Sequence, residues 1–170
     1  MRYADDFVIL ARYQSRRLCE WVERELEGRF KLTINREKTR VVQLAKTGAS
    51  LSFLGYTFRY DRDLHGRQRR YLNVFPAKKS VVRLREKLHA LLAANPVTPV
   101  PTLVGRVNRL LHGWQHYFSF GYPKMAFRDV NHYVVVALTR HLQRRSQRPF
   151  QPPVGTSYYA QLQRLGLQPL

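Results

Sequence analysis

Two adjacent carboxylates, Asp5 and Asp6, follow Tyr3-Ala4 and precede the apolar run Phe7-Val8-Ile9-Leu10. A tight turn holding two carboxylates side by side gathers several hard oxygen ligands, which suits a pair of Mg²⁺ ions in phosphoryl or nucleotidyl transfer. Aspartate is also an ordinary turn residue, so the pair alone describes a surface turn equally well. The stretch Asp61-Arg62-Asp63-Leu64-His65 has metal-ligating residue types, but next to Gly66 it reads as a hairpin tip. Cys19 is the only cysteine, which excludes an internal disulfide and any zinc-ribbon spacing.

The elements that must hold these residues follow from periodicity. Phe7 to Ala11 reads as the outgoing strand of a hairpin whose turn carries the carboxylates. Leu18, Trp21, Val22 and Leu26 recur at helical spacing, giving an amphipathic helix over 15–28, ended by Gly28, with Glu20, Glu23 and Glu27 on its wet side. Leu32 to Ile34 and Thr39 to Leu44 read as strands or extended pieces around the turn Asn35-Arg36-Glu37-Lys38. Leu51 to Tyr60 and Arg69 to Phe75 form a second hairpin. Beyond Pro76 three helices follow, on the stripes Val81/Leu84/Leu88/Leu91, Leu103/Val107/Leu110/Leu111/Trp114/Phe118 and Phe127/Val130/Val134/Leu138/Leu142. Ser80 and Thr102 are the expected caps of the first two. Asn95 to Pro101 reads as a loop, and the Pro-rich stretch 148–153 breaks the chain before a short C-terminal segment.

The chain has 170 residues, 30 Lys+Arg against 11 Asp+Glu and a formal net charge of +19. The excess is +10 up to Glu86 and +9 beyond it, where Asp129 is the only acid. A charge so evenly spread describes a folded body with a basic surface rather than a basic tail, and its partner is a polyanion, nucleic acid ahead of an anionic membrane surface. No apolar run approaches the roughly 20 residues needed to span a bilayer. Lys79, Arg83 and Lys87 step by four, with Lys78 alongside; Arg106, Arg109 and His112 line a flank of the second helix; Arg140, Arg144 and Arg145 cluster at the end of the third. Together these three groups are expected to contact phosphates. Trp114 and Tyr117 have rings that stack on bases, although Trp114 at helical spacing fits a core position better.

Four motifs occur in order: Tyr3-Ala4-Asp5-Asp6-Phe7-Val8-Ile9-Leu10, Leu32-Thr33-Ile34-Asn35-Arg36-Glu37-Lys38-Thr39, Phe53-Leu54-Gly55-Tyr56-Thr57-Phe58 and Gly113-Trp114-Gln115-His116-Tyr117-Phe118. In sequence and spacing they resemble group II intron-encoded reverse transcriptase/maturases. The resemblance implies that Asp5 and Asp6 bind catalytic Mg²⁺, that Tyr3 and Ala4 flank the nucleotide site, and that Lys38 lies near the leaving pyrophosphate, where the ordinary alternative is an exposed turn lysine paired with Glu37. It further implies that Phe53, Leu54, Gly55 and Tyr56 form a primer grip. At Gly55 the missing side chain would admit a nucleic-acid backbone, or else mark a β-bulge.

The fold class so implied is α+β: a partial reverse-transcriptase palm of antiparallel hairpins and one helix over residues 1–76, a three-helix thumb-like bundle, the maturase region, over 77–147, and a Pro-rich segment over 148–170. The resembling polymerases also use fingers motifs and a third carboxylate that precede these motifs, and no other acid here substitutes for it. The chain is therefore expected to be inactive alone. Two functions fit: the C-terminal part of an RNA-directed DNA polymerase and intron maturase that binds structured intron RNA or an RNA/DNA primer-template and supports splicing and mobility, completed by a companion chain, or a non-catalytic split maturase that only binds RNA. Either implies residence in a bacterial cytoplasmic ribonucleoprotein, or an organelle, and no membrane partner.

Overall fold

The computed structural model describes residues 2–3, 6–13, 15–63, 69–145 and 150–170, with backbone only at Arg2, Tyr3 and Asp6. It is a mixed α+β chain that divides into two compact units, Met1–Ala49 and Ser50–Leu170. Strands 50–76 thus group with the helices, where the sequence suggested a boundary after Pro76.

The first unit opens on β1 (Arg2–Tyr3) and β2 (Asp6–Phe7), antiparallel with Tyr3 opposite Asp6. This is the expected hairpin, but Ala4 and Asp5 lie outside the described residues. The outgoing strand stops at Phe7 rather than Ala11, because its partner offers only two residues to pair with. Helix α1 (Arg16–Glu23) is capped by Ser15, whose hydroxyl accepts from the Leu18 amide at 3.2 Å. It then widens into a π-helical stretch, Arg24–Arg29. Gly28 therefore does not end the helix; Lys31 does, at φ 53°. Trp21, expected on the packed stripe, is 54% exposed, and no residue of α1 is buried. Of the wet-side glutamates, Glu20 pairs with Arg16 and Glu27 with Arg36 at 3.0 Å, while Glu25, outside that set, pairs with Arg29. Residues 32–34 and 39–43 are extended without a ladder.

The second unit begins with an antiparallel sheet in the order β3 (Ser50–Phe53), β4 (Tyr56–Arg62), β5 (Arg70–Pro76). The run 51–60 is not one strand. Leu54 (φ 50°) and Gly55 (φ 79°) both adopt the left-handed conformation, the pattern of a two-residue turn whose twist matches its strands. Asp61 sits within β4 rather than at a tip. Its carboxylate takes Arg59 Nε at 2.9 Å and the Asn73 amide at 2.6 Å, so it is already satisfied.

Four helices complete the unit: α2 (Lys78–Ala93), α3 (Val100–Tyr117), α4 (Lys124–Arg144) and α5 (Tyr158–Arg164). Their apolar stripes meet in one core, with Leu88, Leu103, Val107, Val130 and Leu138 at most 1% exposed. Both expected caps move. Helix α2 starts after Ala77, and the Ser80 hydroxyl, one turn in, donates to the Gly55 carbonyl at 2.9 Å. Helix α3 starts after Pro99 with a proline in its first turn, where a missing N–H costs nothing, so the loop is shorter than Asn95 to Pro101.

The C-terminal segment is part of the bundle. Leu162 and Leu167 enter the core, making a fourth helix where three were expected. Asn108 of α3 donates to the Gly166 carbonyl (2.7 Å) and accepts from the Gln168 amide (3.1 Å). Asn131 of α4 treats Leu170 the same way, at 3.2 and 2.9 Å. Each side-chain amide thus pairs with backbone groups of the C-terminal segment as a strand partner would and ties the segment to the bundle. Among the described residues, no helix is long and apolar enough to cross a membrane.

Candidate nucleic-acid interface

Helices α2 and α3 pack as an antiparallel pair joined by a short loop, and their diverging surfaces enclose an open groove of about 390 Å³. Arg83 and Lys87 line it from α2, Arg109, Gly113, Trp114 and Tyr117 from α3. Among the described residues, no carboxylate lines it. Helical spacing explains the convergence: 83 and 87 are four apart, as are 109, 113 and 117, so each set forms one row.

The groove is polar at one end and aromatic at the other. Lys87 and Arg109 lie toward the α2–α3 loop. Ser80, Tyr117 and Phe118 lie toward the sheet, where a Cβ on Gly55 would come within 2.9 Å of Ser80 Oγ and 3.2 Å of the Phe118 ring. The aromatic end is a cluster of tilted rings: Trp114 lies 4.8 Å from Phe118 and 5.6 Å from Phe127, centroid to centroid. Trp114 is half-buried and does serve the core, as its spacing suggested. Its indole Nε1 is nonetheless buried without a hydrogen-bond partner. Tyr117 is 54% exposed.

The remaining candidate cations disperse. Lys78 and Lys79 are exposed on the first turn of α2. Arg106 bonds Asn95 Oδ1, and Arg145 donates to the Val97 carbonyl at 2.9 Å, so both secure the α2–α3 loop. His112 bonds the Gln168 side chain and holds the C-terminal segment. Arg140 and Arg144 are exposed near the end of α4. Next to them, burial and the Arg145 charge hold the His141 imidazole below its ordinary pKa.

The four residues of the expected primer grip form the β3–β4 turn, and that turn is fastened to the protein itself. The Tyr56 hydroxyl donates to the Tyr117 carbonyl, and the Tyr117 hydroxyl donates to the Leu54 carbonyl at 2.9 Å. Burial pushes the Tyr56 phenol above its ordinary pKa. The small size of Gly55 makes room for Ser80 and Phe118, and it sits in a two-residue turn rather than at a bulge. The clamp residues Asn108 and Asn131 escaped sequence reasoning, since an asparagine within an amphipathic helix carries no signal of a distant backbone partner.

In the first unit, Lys38 is exposed and its backbone N–H bonds Asn35 Oδ1 at 3.1 Å. The ion pair of that turn is Arg36 with Glu27, not Lys38 with Glu37. Of the metal-binding pair, Asp5 lies outside the described residues and Asp6 is placed by its backbone in β2. Among the described residues, no three His, Cys, Asp or Glu side chains gather as a metal site.

The second unit is thus an α+β module with a cationic groove on a helical bundle. Residues 81–159 match the family described as group II intron, maturase-specific domain, and the match supports a likeness of this part of the chain to the C-terminal region of a group II intron maturase. The match covers most of α2, all of α3 and α4 and the start of α5, and so contains the groove lining apart from Ser80. No curated protein matches the chain.

Proposed function

We propose that the chain binds the structured RNA of its intron through the α2–α3 groove and thereby supports splicing. The observation that carries this reading is the convergence of Arg83, Lys87 and Arg109, without a carboxylate, on an aromatic-ended groove inside the maturase-specific region. Cations hold phosphates and aromatic faces hold unstacked bases, a combination suited to folded RNA with exposed loops. The chain, titrated against a group II intron RNA at rising salt, is expected to lose affinity by tenfold or more between about 50 and 200 mM. A flat response would overturn the reading.

A second reading adds catalysis. The Tyr3–Asp6 register supports a hairpin with the carboxylate pair at its turn, and adjacent carboxylates are suitable Mg²⁺ ligands. On that reading Asp5 and Asp6 would hold the metal of an RNA-directed DNA polymerase that acts on a primer-template, with Tyr3 and Ala4 beside the nucleotide and Lys38 near the pyrophosphate. The metal would supply electrostatic stabilisation of the transferring phosphoryl group. Primer extension in the presence of a companion chain carrying the fingers and a third carboxylate, abolished by Asp5→Ala, is the expected result; no extension with the companion present would leave the RNA-binding function alone.

A further inference from the structure

Gly113 occupies the middle of α3, where glycine is less favourable than alanine because it leaves more backbone entropy to lose. Glycines in such places usually serve the protein's own geometry, as Gly55 and Gly121 do here: both have positive φ, and a Cβ on either would collide with neighbours. Gly113 does neither. Its φ is helical, and a Cβ placed on it would meet nothing within 4 Å. The folded chain gains nothing from the missing side chain. Yet Gly113 lies at the centre of the α3 row that lines the groove, between cationic Arg109 and aromatic Tyr117.

We infer that the α2–α3 groove is a pocket for one unpaired nucleotide of RNA, with Gly113 as the open floor over which the nucleotide lies. The proposal rests on the RNA-binding reading above and names its ligand. The dimensions favour this occupant. The lining from Arg109 to Tyr117 spans about 12 Å of helix, and a volume of about 390 Å³ lies at the low end for small-ligand pockets. A duplex would need a longer, flatter surface. The polarity matches as well: Lys87 and Arg109 at one end suit the phosphate, with Arg83 one turn further along α2, and the exposed face of Tyr117 at the other end suits the base.

The test compares two RNA hairpins, identical except for one bulged nucleotide, by fluorescence anisotropy with the full chain at fixed salt. Wild type is expected to bind the bulged hairpin about tenfold more tightly than the fully paired one. Gly113→Ala is expected to reduce that preference and Gly113→Leu to abolish it, both with a melting temperature no lower than wild type. Gly105→Ala is the control: it is also in α3, also has nothing within 4 Å of a Cβ, and is absent from the groove lining. It should keep the full preference. Equal binding of the two hairpins by wild type, or an undiminished preference in Gly113→Leu, would overturn the pocket while leaving RNA binding in place. Failure of wild type to bind either hairpin at low salt would overturn both.

Discussion

Tyr56 and Tyr117 hold the sheet to the bundle by crossed hydrogen bonds: the Tyr56 hydroxyl donates to the backbone carbonyl of Tyr117, and the Tyr117 hydroxyl donates to the carbonyl of Leu54. Their rings also pack, with centroids 5.9 Å apart. Each tyrosine therefore fixes the backbone beside the other. Tyr56→Phe leaves the Tyr117 carbonyl without this donor and is expected to cost about 1 kcal/mol, read from urea unfolding. Tyr117→Phe, at a more exposed site, should cost less, and the double variant should depart from additivity because the two bonds share one joint.

Two glycines at the same joint give a ranked prediction. Gly121 (φ 83°) holds its Cα against the Val74 backbone, so that a Cβ would collide with the Val74 carbonyl oxygen, while Tyr122 N–H donates to that oxygen at 2.7 Å. Gly55→Ala meets side chains, Ser80 and Phe118, which can shift. Both replacements add left-handed strain. Gly121→Ala is expected to lose about 2 to 4 kcal/mol and Gly55→Ala about 1 to 3, so the order of their melting temperatures checks the geometry.

Removing the groove charges should separate binding from stability. Arg83, Lys87 and Arg109 are exposed, so the triple change to Gln is expected to move the melting temperature little. If each cation neutralises one phosphate, the slope of log affinity against log salt falls in magnitude by about 2. An unchanged slope would place the phosphate contacts elsewhere.

The asparagine clamps predict that the C-terminal segment is structural. Asn108→Ala and Asn131→Ala each remove two hydrogen bonds to the backbone of this segment, at an expected cost of about 1 kcal/mol, larger at the part-buried Asn131 than at the exposed Asn108 contacts. Loss of the segment from Tyr158 onward would uncover the core around Leu162 and Leu167. Increased binding of a hydrophobic dye by the shortened chain checks this.

His141 contributes a pH dependence of definite sign. Burial, then the Arg145 charge, lower its pKa in the folded chain, so the unfolded chain binds more protons there. Its neutral form favours folding fully above the unfolded pKa, near 6.5, and that contribution is lost as pH falls below it. The fall in melting temperature between pH 7 and 5 should be shallower in His141→Gln than in wild type.

The helical half was legible because its signal is local. The stripes through Leu84, Val107 and Val134 recur at three and four residues, and these residues are buried. Helix α5 was missed because its short pattern follows a Pro-rich break, and Leu162 becomes a core residue only against helices far back in the chain. In the first unit, Trp21 shows the reverse: its helical spacing predicts packing, yet none of α1 is buried. The cations were legible as a set but not by task, since Arg106, His112 and Arg145 spend their hydrogen bonds on the protein itself.

By itself the sequence determined the basic character, the order of motifs and the helices of the bundle, because charge is additive and helical periodicity repeats within a few residues. Only the tertiary structure decided that Gly55 yields to Ser80 and Phe118, that Tyr56 locks to Tyr117, and that Arg83, Lys87 and Arg109 share one groove. Those relationships join residues up to 63 positions apart, and they exist only once packing has set which face of each helix meets which neighbour.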